Sequence, residues 1–145
     1  MRVIVVGASG TIGRAVAEAL DGEHEVLRAS RSSGDLRVDL ASADSIRRMY
    51  DAAGEVDAVV CCAGSARFKP LRELSDDDFA FSLGNKLMGQ VNLVRLGVGR
   101  VRASFTLTSG VLGQEPMPGS AAISVVNASP ARRRWSFRPA SGSTS

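Results

Sequence analysis

The stretch VVGASGTIG, residues 5–13, decides how the chain folds. It joins a β-branched run, Arg2–Val6, to Thr11–Leu20, whose apolar residues recur at helical spacing. Between the two segments lie three glycines at three-residue intervals, Gly7, Gly10 and Gly13. The start of a helix presents unpaired N–H groups and a partial positive charge, and glycine lets a phosphate approach them closely. The stretch therefore predicts a strand, turn and helix that bind the pyrophosphate of a dinucleotide.

The rest of the chain continues the alternation of strand and helix. Hydrophobic periodicity predicts strands at Glu25–Arg28, Leu36–Val38, Val56–Cys62 and Ser104–Thr108, and helices at Ser42–Ala53, about Phe79–Val98 and Ala121–Asn127. Strands that alternate with helices form a parallel sheet covered on both faces. The predicted fold class is α/β, with a doubly wound, Rossmann-like parallel sheet of five strands.

Basic residues are concentrated at the end of the chain. The 145 residues have a formal charge of +3 and a pI of about 9.4. Four of the 18 basic residues lie in ARRRWSFRPASGSTS, residues 131–145, which leaves 14 basic against 15 acidic residues before it. The basic character thus belongs to the tail alone, whereas a nucleic-acid-binding domain carries a basic patch or stripe on its folded surface. We therefore expect no nucleic-acid partner.

Cysteine and histidine usage is typical of a cytoplasmic protein without a metal site. The cysteines, Cys61 and Cys62, are adjacent on a predicted strand, so their side chains point to opposite faces and an ordinary disulfide is not expected. His24 is the only histidine, and no Cys/His spacing repeats. No apolar run reaches the length of a membrane span, and the start lacks a signal-peptide pattern. We expect a cytoplasmic protein with no metal and no membrane partner.

The end of the second predicted strand indicates which dinucleotide binds. An acidic residue there would bond the ribose hydroxyls of NAD. The segment LRASRSSGD instead holds Arg28 and Arg31, with no acid before Asp35. A guanidinium pairs well with a 2′-phosphate, whereas a solvated loop charge is the alternative explanation of Arg31. The sequence predicts NADP(H), with NAD(H) as the alternative cofactor.

Four motifs in order resemble the short-chain dehydrogenase/reductase family between Met1 and about Asn127. GASGTIG is similar to the family's cofactor turn, VDLAS to its adenine-contact segment, CCAG to its Asn-Asn-Ala-Gly and FTLTSG to its fifth strand. The resemblance implies hydride transfer between NAD(P)(H) and a small carbonyl or alcohol substrate. It also implies that intact relatives are homo-oligomers through the long central helix. With Arg31, the implied cofactor-binding residues are Gly7, Ser9, Gly10, Thr11, Ile12, Gly13, Asp39, Leu40, Ala63 and Gly64.

The catalytic residues only partly follow the family pattern. The resemblance implies that Ser109 is the catalytic serine, followed by Tyr after thirteen residues and Lys after four more. Those positions hold Ala122 and Val126, which cannot transfer a proton. The only tyrosine, Tyr50, lies in an early predicted helix. The usual Ser-Tyr-Lys mechanism therefore cannot operate.

A lysine in the central helix offers another proton donor. Alignment on Gly89 places Lys86 where the family has an asparagine. Burial beside the site would lower the pKa of this lysine and suit it to proton transfer. The alternatives are a solvated or ion-paired lysine, with Asn85 in the asparagine's role. Lys86 is the second candidate catalytic residue, after Ser109.

Residues 128–145 depart from the family, which continues with an apolar helix end and a strand of the type Gly-Ile-Arg-Val-Asn. A GC-rich coding sequence for Arg134–Thr144, shifted back by one base, reads Leu-Glu-Leu-Pro-Ala-Gly-Ile-Arg-Val-Asn. We therefore expect an NAD(P)-binding domain at residues 1–127 and a disordered basic tail at 128–145, produced by a frameshift near Ala128. The sheet would then be truncated before strands six and seven. A genuine basic appendage is the alternative.

Three functions remain open from the sequence. The first is an NAD(P)(H)-dependent oxidoreductase. The second is a dinucleotide-binding module without turnover, which Ala122 and Val126 suggest. The third is an inactive, truncated product of a frameshifted gene, which the tail suggests.

Overall fold

The computed structural model describes residues 1–128, in which five parallel strands form one sheet in the order β3-β2-β1-β4-β5. The strands are β1 (Arg2–Val6), β2 (Glu25–Ser30), β3 (Leu36–Arg37), β4 (Val56–Cys61) and β5 (Val101–Leu107). The helices are α1 (Thr11–Leu20), α2 (Ala43–Ala53), α3 (Asp76–Ser82), α4 (Gly89–Gly97) and α5 (Ala121–Ala128). The doubly wound α/β fold predicted from the sequence is confirmed.

The strand order places a crevice at the carboxyl end of β1. The chain runs outward from β1 through β2 to β3 and then returns to the other side of β1 with β4. The strands that follow β1 therefore lie on its two sides, with β2 and β3 toward one edge of the sheet and β4 and β5 toward the other. In open α/β sheets, ligands bind at such a switch point, outside the carboxyl ends of the strands.

The sheet is buried on both faces, as its apolar strands require. On one face, Ile4, Val59 and Phe105 belong to a core that extends to α2 and α4. On the other face, Val3 and Val5 pack with Ala17 of α1. Successive side chains of β1 thus alternate between two layers of helix. This burial fixes the strands whose carboxyl ends form the crevice.

The ends of four strands differ from the prediction, and β3 stops at Arg37 rather than Val38. β2 extends two residues beyond Arg28, because Ala29 and Ser30 pair with β3 and are buried. β5 starts at Val101 rather than Ser104, because Val101 pairs with Val56 across an irregularity in the ladder. β4 ends at Cys61, one residue early. Pairing with a neighbouring strand, which periodicity does not reveal, decides these bounds.

The long central helix predicted over about Phe79–Val98 is divided into three parts. Between α3 and α4, residues Leu83–Met88 form a π-helical segment. The N–H of Gly89 bonds the carbonyl of Gly84, five residues back. Such segments insert one residue into an α-helix and are frequent at functional sites. Apolar spacing of three and four residues continues across the segment and does not signal it.

The last helix reaches one residue beyond the predicted domain end at Asn127. The predicted basic tail otherwise lies outside the described residues. Within residues 1–128, no helix is long and apolar enough to cross a membrane.

Candidate functional site

Gly7 gives the turn after β1 its shape. Its φ of +84° lies in the left-handed region, which side chains other than glycine rarely adopt. Its N–H donates to the carbonyl of Ala29 (2.8 Å). A Cβ at this position would lie 2.8 Å from the Cβ of Ala63. The turn is therefore packed against β2 and against the segment that follows β4.

Gly13 brings the start of α1 onto this turn. A Cβ on Gly13 would lie 2.0 Å from the carbonyl oxygen of Gly7, which no side chain tolerates. The N-cap, Gly10, provides no side-chain hydrogen bond, and the first turn of α1 contains no acid. The first amides of α1 are therefore open to an anion, which fits the pyrophosphate of a dinucleotide.

A pocket of about 370 Å³ opens beside the glycine turn. It lies at the carboxyl ends of β1, β2 and β4, where the strand order reverses. The lining residues are Val6, Gly7, Ser9, Ser30, Arg31, Ser32, Val38, Leu40, Ala63, Gly64, Ser65 and Asn85. Six of them are predicted cofactor-binding residues: Gly7, Ser9, Arg31, Leu40, Ala63 and Gly64.

The other five predicted cofactor residues surround the pocket without lining it. Gly10, Thr11, Ile12 and Gly13 belong to the N-terminal turn of α1. Asp39 uses Oδ1 to accept the N–H of Ala41 (3.0 Å), which shapes the chain before α2. Six lining residues are not among the predicted cofactor-binding residues: the serines Ser30, Ser32 and Ser65, together with Val6, Val38 and Asn85. The sequence could have indicated these serines only by proximity, since Ser30 and Ser32 adjoin Arg31 and Ser65 follows Gly64.

The two arginines of the second predicted strand have different surroundings. Arg28 forms an ion pair with Asp21, which raises the pKa of Arg28, and its N–H donates to Asp35 (2.8 Å). Arg31 is exposed, lines the pocket and has no hydrogen-bond or ion-pair partner among the described residues. Only Arg31 of the pair is therefore free to meet a ligand phosphate.

Lys86 lies against the segment that follows β4. Gly64 has a φ of +136°, and a Cβ there would lie 2.9 Å from Cγ of Lys86. Lys86 has no hydrogen-bond or ion-pair partner among the described residues. Burial lowers the pKa of this half-buried amine, and the nearby thiol of Cys61 partly opposes the effect. Cys61 is itself buried, which raises the pKa of its thiol to about 11.

The end of β5 is tied to the central helix and to α5. Gln90, one turn after Lys86, donates its side-chain N–H to the carbonyl of Thr108 (2.9 Å). Ser109 is exposed, and its hydroxyl donates to the backbone carbonyl of Asn127 (2.9 Å). The hydrogen bonds thus bring the helix that carries Lys86 and the serine to one edge of the sheet.

α5 has no proton-transfer group at the positions where the family resemblance implies Tyr and Lys. Ala122 is 1% exposed and Val126 is 2% exposed, so both belong to the core. Tyr50 lies elsewhere, beneath α4, where its hydroxyl donates to the carbonyl of Leu93 (2.7 Å) and burial raises its pKa. No tyrosine within residues 1–128 can therefore replace the missing pair.

Comparisons with known proteins agree with the dinucleotide-binding role predicted for the glycine turn. The model of the NAD dependent epimerase/dehydratase family matches residues 3–133. The chain belongs to this family. Among solved structures, the protein lin1944 from Listeria innocua is 43% identical, with a TM-score of 0.87 over 90% of this chain. A small-chain dehydrogenase is 25% identical, with a TM-score of 0.81 over 88% of this chain.

A third structure, a small-chain dehydrogenase in complex with NADPH, is 24% identical, with a TM-score of 0.82 over 90% of this chain. The family-model match and the 25% identical small-chain dehydrogenase confirm the family resemblance seen in the sequence. The chain spans 66%, 69% and 60% of these three structures, in the order given. Among proteins of curated function, none matches this sequence.

Proposed function

We propose that the protein is an NADP(H)-dependent oxidoreductase that transfers hydride to or from a small carbonyl or alcohol substrate. Membership of the NAD dependent family and the open amides of α1 support a nicotinamide dinucleotide. The single observation that favours NADP(H) is the unpaired guanidinium of Arg31 in the pocket. A 2′-phosphate would give this charge the partner that it lacks among the described residues.

The backbone of the glycine turn provides the other contacts. Gly7, Ser9 and Gly64 line the pocket, and the close approach at Gly13 fixes the helix start beside them. These residues hold the dinucleotide through N–H groups and leave room where side chains would stand. When bound, the nicotinamide would supply or accept the hydride, while residues of the chain bind the cofactor, orient the substrate and transfer the proton.

Two side chains at the β4 and β5 ends are proposed to handle the substrate oxygen. Ser109 is exposed at the end of β5, where its hydroxyl orients the oxygen. Lys86 holds the proton, because a half-buried amine with a lowered pKa releases it more readily than a solvated lysine. Lys86 thereby takes the proton-transfer role that the family resemblance implies for a tyrosine.

A binding module without turnover is the second candidate function. Its support is the burial of Ala122 and Val126 where proton-transfer groups are expected. The third candidate, an inactive frameshift product, depends on residues outside the described part of the chain. A small-molecule substrate, homo-oligomerisation through the central helix, the absence of nucleic-acid partners and a cytoplasmic location stay predictions.

Calorimetric titration with NADPH and NADH tests the cofactor proposal. We expect tighter binding of NADPH. The change Arg31→Asp should weaken NADPH binding by about 1.5–3 kcal/mol, the value of a charged hydrogen bond, and leave NADH binding nearly unchanged. Arg37→Asp is the matched control, because Arg37 is exposed nearby but donates to the carbonyl of Gly34 and does not line the pocket. Equal affinity of the unaltered protein for both cofactors would contradict the proposal.

A further inference from the structure

The side chain of Asn127 is a buried polar group without an assigned role. It is 7% exposed, and its Oδ1 atom has no hydrogen-bond partner among the described residues. Buried amide oxygens in native proteins accept a hydrogen bond from protein, water or ligand, because an unsatisfied acceptor destabilises the fold. A donor for Oδ1 is therefore expected.

Asn127 lies directly against the end of β5. Its backbone carbonyl accepts the hydroxyl of Ser109. A Cβ on Gly110 would lie 2.8 Å from Nδ2 and 3.8 Å from Oδ1 of Asn127. The amide therefore occupies space that any side chain at position 110 would need. This contact places it beside the exposed serine that is proposed to meet the substrate.

The position of the glycine turn decides which half of a dinucleotide lies near this amide. The pocket on the β2 side of the turn is lined by Ser30, Arg31 and Leu40, which suits the adenosine half with its 2′-phosphate. A dinucleotide crosses the switch point with its pyrophosphate at the turn, so its other half extends over β4 and β5. Ser109 and Gly110 follow β5 and lie on this second side.

We propose that Oδ1 of Asn127 accepts a hydrogen bond from the nicotinamide riboside half of the cofactor, through a hydroxyl or amide N–H. This inference rests on the proposed function, since it requires a nicotinamide dinucleotide in the crevice. Val126, one residue earlier, is buried and apolar, so it offers no polar contact. Asn127 supplies the polar contact from α5 instead.

Two ligands distinguish the halves of the cofactor in titrations of the full chain. NADPH contains the nicotinamide riboside, whereas 2′-phosphoadenosine 5′-diphosphate lacks it. We expect Asn127→Leu, which is similar in size but has no acceptor, to weaken NADPH binding about tenfold. It should leave binding of the adenosine fragment unchanged. Asn127→Asp keeps an oxygen in place and should retain NADPH affinity within about threefold.

Ser124→Ala is the matched control on the same helix, because its hydroxyl pairs with Ser120 (2.9 Å) rather than with the β5 end. It should change neither affinity. Thermal unfolding shows whether each variant is folded, and Asn127→Ala replaces the leucine variant if that one is not.

Three results overturn the inference. If NADPH binds equally well to the leucine variant, the amide is satisfied by water, and the cofactor proposal stands. If both ligands are weakened alike, Asn127 acts only through the fold. If the unaltered protein binds neither ligand, the proposed function fails and the inference fails with it.

Discussion

The two sides of the crevice differ in which part of the chain the proposed function uses, backbone on one side and side chains on the other. On the β1–β2 side, the turn depends on glycines whose absent side chains make room, as at Gly7 and Gly13. On the β4–β5 side, the proposed function depends on particular side chains, and buried Ala122 and Val126 stand where the family resemblance implies Tyr and Lys. A site made of backbone needs little more than its fold. A site made of side chains can lose its chemistry while the fold stays, so we expect cofactor binding and turnover to be separable here.

The apolar residues Ala122 and Val126 on the β4–β5 side are compatible with a stable fold. Val126 is 2% exposed, and burying a side chain of this size contributes about 1.5–3 kcal/mol. A lysine in the same surroundings would need a partner for its charge. Packing of α5 is thus retained at the two positions that hold no proton-transfer group, and Lys86 and Ser109 are the residues proposed to supply the chemistry.

The largest effect is expected on the glycine side, from Gly13→Ala. In an exposed helix, this change stabilises by up to about 1 kcal/mol. Here the new Cβ would lie 2.0 Å from the carbonyl oxygen of Gly7, so either the turn or α1 must move. We expect the free energy of unfolding to fall by about 3 kcal/mol and NADPH binding to be lost, as measured by urea unfolding and calorimetry.

Gly22→Ala is the control for this prediction, because a Cβ on Gly22 has no neighbour within 4 Å. It should change the free energy of unfolding by no more than about 0.5 kcal/mol. A Gly13→Ala protein with the stability and NADPH affinity of the parent would show that the turn does not depend on this close approach.

The sequence predicted the glycine side better than the other side. The glycine turn is local, since its spacing and the flanking apolar periods are readable within residues 2–20, and two of the cofactor-binding residues predicted there, Gly7 and Ser9, line the pocket. Arg31 was also predicted to bind the cofactor. The sequence did not show that Arg28 is ion-paired and Arg31 is not, because the pairing of Arg28 with Asp21 joins residues seven positions apart in different elements.

The other side depends on contacts between distant segments. The π-helical segment at Leu83–Met88 leaves no trace in apolar spacing, yet it precedes the Gln90 contact to Thr108. The link from Ser109 to Asn127 joins residues eighteen positions apart. Ser109 and Lys86 became candidates through the family resemblance, by alignment on FTLTSG and on Gly89. Their surroundings come from tertiary packing, as does the orphaned amide beside them.

A smaller effect, on turnover alone, is expected from Lys86→Met. With small aldehydes and ketones as trial substrates, the rate of NADPH oxidation should fall about a hundredfold, as for loss of a proton donor. NADPH affinity should change little, because Lys86 does not line the pocket. An unchanged rate would remove Lys86 from the proposed chemistry.

The pH dependence sharpens the same prediction. Burial lowers the pKa of Lys86 from 10.5, and the protonated amine is the proposed donor in carbonyl reduction. The reduction rate should therefore fall as pH rises through a pKa below 10.5. Lys86→Arg, which stays protonated throughout, should lack this alkaline decline.

The smallest effect is expected from Asp78→Asn, which concerns the loop after β4 rather than the chemistry. Lys69 (2.9 Å) and the N–H of Ser75 (3.1 Å) contact the Asp78 carboxylate, and these contacts lower its pKa to about 2. A carboxyl group whose pKa is depressed on folding adds stability above its unfolded pKa of 3.8 and loses it as pH falls toward 2. The parent should therefore lose more of its free energy of unfolding between pH 5 and pH 2 than Asp78→Asn, as measured by urea unfolding. Asp77→Asn, an exposed neighbour in the same helical turn, should follow the parent. If all three proteins lose stability in parallel, the ion pair between Lys69 and Asp78 does not stabilise the loop after β4.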